Sequence, residues 1–318
     1  MPGLLLARLR RLPLLAAVCA VVSCPVAGCA AAGGGSRAPG PSPASAGSTI
    51  HLPSRARPSP VGVAPAGAVP VVAGGPARLA GQLTAAETVL AEGDAPPAFM
   101  ARQALIVQLA CLRVAAHPGW AGVVTEKVAP ARRAAAAADI AATADLVALT
   151  RPRPRLPPWR VVAAENPATL LADYRATQAA TGVGWSYLAA INFVETDFGR
   201  VAGPSSAGAE GPMQFMPATW AIYGHGSIHR PRNAILAAGR FLAARGAADS
   251  IGSALHAYNP SWRYVDAVLR YARRLRTDPQ ALTGYYRRQV VYRLARGWVL
   301  LPAGYGIDPA VRAIPVRG

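Results

Sequence analysis

The chain has 318 residues, 52% of hydrophobic type but only 7% aromatic, and a formal charge of +18. That length provides for one or two domains with a packed core. So basic a balance excludes a neutral surface and points to anionic partners: nucleic acid, phospholipid or a wall polyanion.

Residues 1–28 have the layout of an export signal, with Arg8, Arg10 and Arg11 ahead of a short apolar run that ends in small residues. The run is too short for a comfortable membrane span. It leads into Val26-Ala27-Gly28-Cys29, which resembles the lipobox of bacterial lipoproteins, where the cysteine is diacylated and becomes the new N-terminus. Val21-Val22-Ser23-Cys24 fits the same pattern less well, and a plain secretory signal is the alternative. Either way the expectation is an exported chain, lipid-anchored at Cys29 and facing the cell wall or else secreted. Nucleic acid is then set aside as a partner. Past Cys29, Cys111 stands alone on an apolar pattern, a small buried hydrophobe with no disulfide framework or cysteine metal site around it.

Residues 29–78 are Pro/Gly/Ser/Ala text without a sustained period, expected to be a disordered tether because they offer too little apolar area to offset ordering. Residues 79–149 change character. Leu79, Leu83, Ala86 and Leu90 recur at helical spacing, as do Leu105, Leu109 and Leu112 after Pro96-Pro97, and ADIAATADLVALT adds a third helical piece. This predicts a helical hairpin or three-helix unit with nothing catalytic in it.

RPRPRLPPW at 151–159 is a proline-punctuated joint into residues 150–276, where helical signals continue through NPATLLADYRATQAATG, WSYLAAINFVETDFG and PRNAILAAGRFLAARG. In SWRYVDAVLRYARRLR, Trp262, Val265, Leu269, Ala272 and Leu275 share one predicted face. Arg230 before Pro231 is a poor N-cap. Residues 277–318 form a basic tail expected to pack on this part, with short strands near Val290 and Val299. The fold class expected is mainly α.

Inside INFVETDFG, Leu188, Ile191, Val194, Glu195 and Phe198 fall within a sector of roughly 120°, which puts one carboxylate on a buried stripe. Desolvation favours the neutral acid and raises its pKa, suiting Glu195 to general acid work; a helix-end glutamate that turns outward is the alternative. Asp197 lies ~160° round the helix and points away. Glu210, in the loop PSSAGAEGPMQF, is the other carboxylate able to approach a cleft.

Three pieces stand in order here: Glu195-Thr196, Gly211-Pro212-Met213-Gln214, and Ala257-Tyr258-Asn259. They resemble the actinobacterial secreted branch of the lytic transglycosylases, lysozyme-like enzymes with a soluble-transglycosylase-type domain, over about residues 159–276. The branch pattern is Glu-Ser, Gly-Leu-Met-Gln and Ala-Tyr-Asn. Thr196 departs from it while keeping a hydroxyl, and Pro212 replaces leucine.

The resemblance implies a lysozyme-like catalytic domain that cleaves between N-acetylmuramic acid and N-acetylglucosamine, needs no cofactor and takes peptidoglycan glycan strands as substrate. It implies that Glu195 protonates the glycosidic oxygen while the muramyl acetamido oxygen attacks C1. Ionised Glu195 then deprotonates the C6 hydroxyl, and a 1,6-anhydro ring closes. It assigns substrate binding to Gln214, Met213, Phe215, Thr196, Tyr258 and Asn259, with the Tyr258 hydroxyl near Glu195 and Asn259 helping to fix its loop. Core packing is the bland account of Met213 and Phe215. Gly208 and Gly211 fit close turns near the saccharide. Glu210 is a candidate secondary catalytic residue; a hydrolytic muramidase on the same fold and a non-catalytic wall-binding protein are the alternatives.

His225 and His229 at i, i+4 lack a third ligand, so no metal site is expected, and His256 reads as packing. No G-x-S-x-G elbow is present for a serine hydrolase. YARRLRTD and YYRRQVVYRLARG are expected to turn an arginine-rich face toward anionic wall polymer or lipid headgroups.

Overall fold

The computed structural model describes residues 68–316; the expected leader, Cys29 and most of the expected tether lie outside them. Among the described residues the chain is mainly helical, with eleven helices and five short strands. Six of the helices carry proline in the first turn, where a missing N–H loses no intrahelical bond.

The N-terminal helices are α1 (Pro76–Glu92), α2 (Pro97–Ala116), α3 (Trp120–Lys127) and α4 (Pro130–Leu149). The leucine stripes of α1 and α2 are buried together, and burial pushes the Cys111 thiol up to about 12, leaving it an inert packing group. There are four helices rather than three; the short α3 lacks a leucine repeat and buries only Val124. Of the span expected to be tether, residues 68–78 are described and are held against the N-terminal helices, with α1 starting at Pro76. Val72 is buried against α1 and α2, Gln82 bonds the backbone of Ala73 and Val71, and Arg102 bonds the Ala68 carbonyl. Those side chains satisfy extended backbone that the composition marks as structureless.

Next come α5 (Pro167–Thr181), α6 (Trp185–Thr196), α7 (Pro217–Tyr223), α8 (Pro231–Ala244), α9 (Ile251–Tyr258), α10 (Trp262–Thr277) and α11 (Ala281–Tyr286). Helix α6 is the centre of this part: every residue from Leu188 to Thr196 is buried, with α5, α8 and α10 around it. On α10, Val265, Ala272 and Leu275 face the core as expected, but Trp262 is 60% exposed and stacks on His256. The start of α8 at Arg230 has no side-chain cap, in keeping with the poor N-cap residue.

Strands β1 (Arg160–Val161) and β2 (Val201–Ala202) pair antiparallel, and β3 (Val290–Leu294), β4 (Gly297–Leu301) and β5 (Ile314–Pro315) form a second antiparallel sheet. The β3–β4 hairpin uses both faces. Val291 and Leu300 join the core of α1, α2 and α4, while Val290, Tyr292, Leu294, Val299 and Leu301 pack with Trp159, Val161 and Val201. The tail therefore stitches the N-terminal helices to the rest.

A buried ionic network makes the same connection. Asp139 on α4 accepts from Arg274 at 2.8 Å, from the Tyr285 hydroxyl at 2.6 Å and from Arg288; Arg274 also donates to Glu87 on α1 through both terminal nitrogens, at 3.1 and 2.5 Å. Arg274 and Arg288 are buried, so the expected outward arginine face loses two of its members to the core. Arg263 and Arg270 are paired with Asp145 at 3.2 and 2.7 Å; Arg273 and Arg276 remain exposed.

Candidate active site

Glu195 occupies the last turn of α6 and is 1% exposed. Its Oε1 accepts a hydrogen bond from the Tyr264 hydroxyl at 2.8 Å, and its buried Oε2 has no hydrogen-bond partner among the described residues. Burial holds its pKa well above the usual carboxylate value, with the Tyr264 hydrogen bond pulling the other way. Burial and the nearby glutamate push the phenols of Tyr258 and Tyr264 well above their ordinary range, so both stay neutral donors. The result is a dry carboxyl whose acid form burial favours, hydrogen-bonded to one phenol.

The backbone leaves α6 through three successive left-handed residues, Asp197, Phe198 and Gly199, with φ of 52°, 63° and 85°. Thr196 is fully buried; its hydroxyl donates to the Pro212 carbonyl at 2.6 Å and accepts from Gly199 N at 2.9 Å. Asn192 donates to the same carbonyl at 2.8 Å and is itself held by the Tyr174 hydroxyl at 2.6 Å. Thr196 therefore clamps the returning loop to the helix that carries Glu195. Glu210 and Phe215 exchange two backbone hydrogen bonds of 2.9 Å, closing a tight turn around Gly211. A Cβ on Gly211 would sit 2.2 Å from the Ile228 carbonyl oxygen, so the close approach requires glycine there.

Gln214, within this turn, has a φ of 48°, donates through Nε2 to the Gly211 carbonyl at 2.9 Å, and keeps a buried Oε1 with no hydrogen-bond partner. Met213 and Phe215 are buried in the main core, the latter edge-on to Trp220 and Tyr258. Tyr258 lies close enough to Glu195 to feel its charge, but its hydroxyl donates to the Met213 carbonyl at 2.5 Å. The phenol that bonds Glu195 is Tyr264, absent from the motif comparison. Its signal was available: a tyrosine on the buried face of a helix needs a partner, and so does a glutamate on a buried stripe. Asn259 is buried at the C-terminal end of α9, its N–H bonded to the Leu255 carbonyl.

A cleft of about 770 Å³ opens beside this unit, walled by Arg160, Glu165, Phe198, Gly199, residues 201–204, Glu210, Pro212 and His229. Phe198, Gly199 and Pro212, which are tied to the end of α6, belong to its wall; Glu195, Gln214 and Tyr258 do not. Glu210 is about two-fifths exposed and faces His229 at 3.6 Å. Asp197 is buried, ion-paired with Arg200 at 3.3 Å, and burial raises its carboxyl to about 6 against the pull of Arg200 and Arg288. Asp249 and Asp266 are exposed.

Among the described residues no cluster of three or more His, Cys, Asp or Glu is placed to hold a metal ion. No family model, curated protein or solved structure matches the chain.

Proposed function

We propose that the chain is a peptidoglycan lytic transglycosylase with a lysozyme-like catalytic part and Glu195 as its single acid and base. The observation that carries this reading is the state of Glu195: dry, with one oxygen held by Tyr264 and the other without a hydrogen-bond partner. A carboxylic acid kept neutral near neutral pH is able to give its proton to a glycosidic oxygen. As that bond breaks, the acetamido oxygen of the muramyl residue attacks C1 and forms a bicyclic oxazolinium intermediate. The glutamate left ionised then takes the C6 hydroxyl proton, O6 closes on C1, and the acetamide is released. Glu195 ends protonated, no water is consumed, and a second carboxylate is not needed. Gln214 supports the reading as well, because its unpartnered amide oxygen suits a saccharide hydroxyl or N–H.

Since Glu195 is 1% exposed, this chemistry requires substrate to displace the side chains that cover it from the adjoining cleft. Glu210 on the cleft wall favours a second reading, a hydrolase in which it activates water. Mass spectrometry of digested sacculi distinguishes the two: anhydro-muramyl ends for the lyase, reducing ends for the hydrolase. Glu195→Gln is expected to lower release by about 10²–10⁴-fold. Release at the parental rate rules out both enzyme readings based on Glu195, and no release from either protein supports a wall-binding role.

A further inference from the structure

Exposed arginines occur on many elements, and at one place a contact between distant stretches brings several of them together. The segment 151–155, RPRPR, lies against the tip of the β3–β4 hairpin: Arg153 N donates to the Arg293 carbonyl at 3.0 Å, and Ala295 N donates to the Arg153 carbonyl at 2.8 Å. Two stretches about 140 residues apart in sequence thus become one surface. Arg151, Arg155 and Arg296 are exposed on it, and Arg153 is half-buried. None of these four makes an ion pair among the described residues, unlike Arg263 and Arg270; the exposed Arg273 and Arg276 make none either, so what sets this surface apart is its apolar margin.

The same surface has an apolar margin. Leu156 follows Arg155 directly and is 38% exposed; with Pro157, Pro158, Tyr305 and Ile307 it lines an open groove of about 550 Å³. Ile307 is 56% exposed and Ile314, at the edge of the adjoining sheet, 37%. Asp308 is the acid in this groove, and its Oδ1 accepts from the backbone N–H of Ala310. Arg312 lies on the same rim, exposed.

We propose that this surface seats the protein on an anionic phospholipid membrane. Arginines without local anions are drawn to phosphate headgroups, at about 1 kcal/mol for each one near the surface. Exposed leucine and isoleucine beside them gain by entering the acyl boundary, and long arginine stems let the charged heads stay among the phosphates. A soluble wall polyanion satisfies the arginines but gives the apolar margin nothing, and this decides for the lipid. The inference does not rest on the role of Glu195.

The test uses the full chain with Cys24→Ser and Cys29→Ser, so that no acyl group is attached. It measures binding to vesicles of phosphatidylglycerol and phosphatidylcholine in equal amounts, and to phosphatidylcholine alone. Arg151→Gln with Arg155→Gln is expected to weaken binding to the anionic vesicles roughly 25-fold. Arg273→Gln with Arg276→Gln, the same charge change on the exposed face of α10, is expected to leave it within about twofold. Leu156→Ser with Ile307→Ser should weaken vesicle binding and leave binding to soluble polyphosphate unchanged. Equal losses for the two arginine pairs, or no loss for the Leu156/Ile307 pair, overturn the proposal; in the latter case a polyanion is the partner. Unchanged melting temperatures show that the variants are folded.

Discussion

Glu195 is the residue whose placement works against stability. Its folded pKa is raised, so the folded state holds a proton that the unfolded chain releases above about pH 4.3, and stability falls as pH rises from there through the folded pKa. Glu195→Gln keeps the hydrogen bond from Tyr264 and removes this loss. The variant is expected to melt higher than the parent at pH 8, by on the order of 5 °C, and at nearly the same temperature at pH 4. Calorimetry at the two pH values checks it; a lower melting temperature at pH 8 contradicts a dry, neutral carboxyl. Tyr264→Phe removes the interaction that lowers the pKa of Glu195. Since the proposed acid has to be protonated in the free enzyme, the alkaline limb of kcat/KM should move to higher pH, with an activity loss of about 10-fold. A purely structural role for Tyr264 would lower activity without moving that limb.

At the scale of elements, the candidate site depends on the segment that leaves α6 and returns at Pro212. A helix C-terminus has free carbonyls and no fixed exit, and here three left-handed residues and the Thr196 clamp define the exit. Gly208 and Gly211 both have positive φ, at 88° and 74°, but differ in their surroundings. A Cβ at Gly208 meets nothing within 4 Å, whereas at Gly211 it collides with the Ile228 carbonyl. Gly208→Ala is therefore expected to destabilise by about 1 kcal/mol, from the backbone conformation alone. Gly211→Ala should do so by more than about 2 kcal/mol and lower glycan release as well, because the turn carries Gln214. Denaturant melts of the two variants check the ranking.

At the scale of the whole molecule, the N-terminal helices and the part that carries Glu195 share one ionic core. Burial pushes the Asp139 carboxyl up, but Arg274 and Arg288 outweigh it and hold it below the usual value. The associated stability is present above about pH 4 and is lost as pH falls through the folded pKa. Asp139→Asn leaves the buried Arg288 guanidinium without a carboxylate ion pair among the described residues and Arg274 with Glu87 and Asp278, and is expected to destabilise by about 3–5 kcal/mol. It should also flatten the acid side of the stability curve, read from urea melts across pH. A fragment of residues 150–318 should show no cooperative unfolding, since it exposes Val291, Leu300, Arg274 and Arg288 together. A sharp melt from that fragment would show that the N-terminal helices are separable.

The sequence alone determined the features written in local spacing. Leucines at helical intervals specify α1 and α2, prolines mark where helices begin, alternating residues near Val290 and Val299 give the hairpin, and a glutamate on an apolar stripe marks the candidate acid. Each depends on neighbours a few residues away, so periodicity and composition carry it. The remaining features depend on groups distant in the chain. Tyr264 rather than Tyr258 reaches Glu195 because α10 crosses α6. Thr196 turns to Pro212 because the loop comes back over the helix end. Arg274 and Arg288 go inward because Asp139 and Glu87, 135 to 187 residues away for Arg274, are already buried and need partners. The physical reason is the same in each case: a buried polar or charged group has to be satisfied, and the chain's path through space, which no short window records, selects the partner.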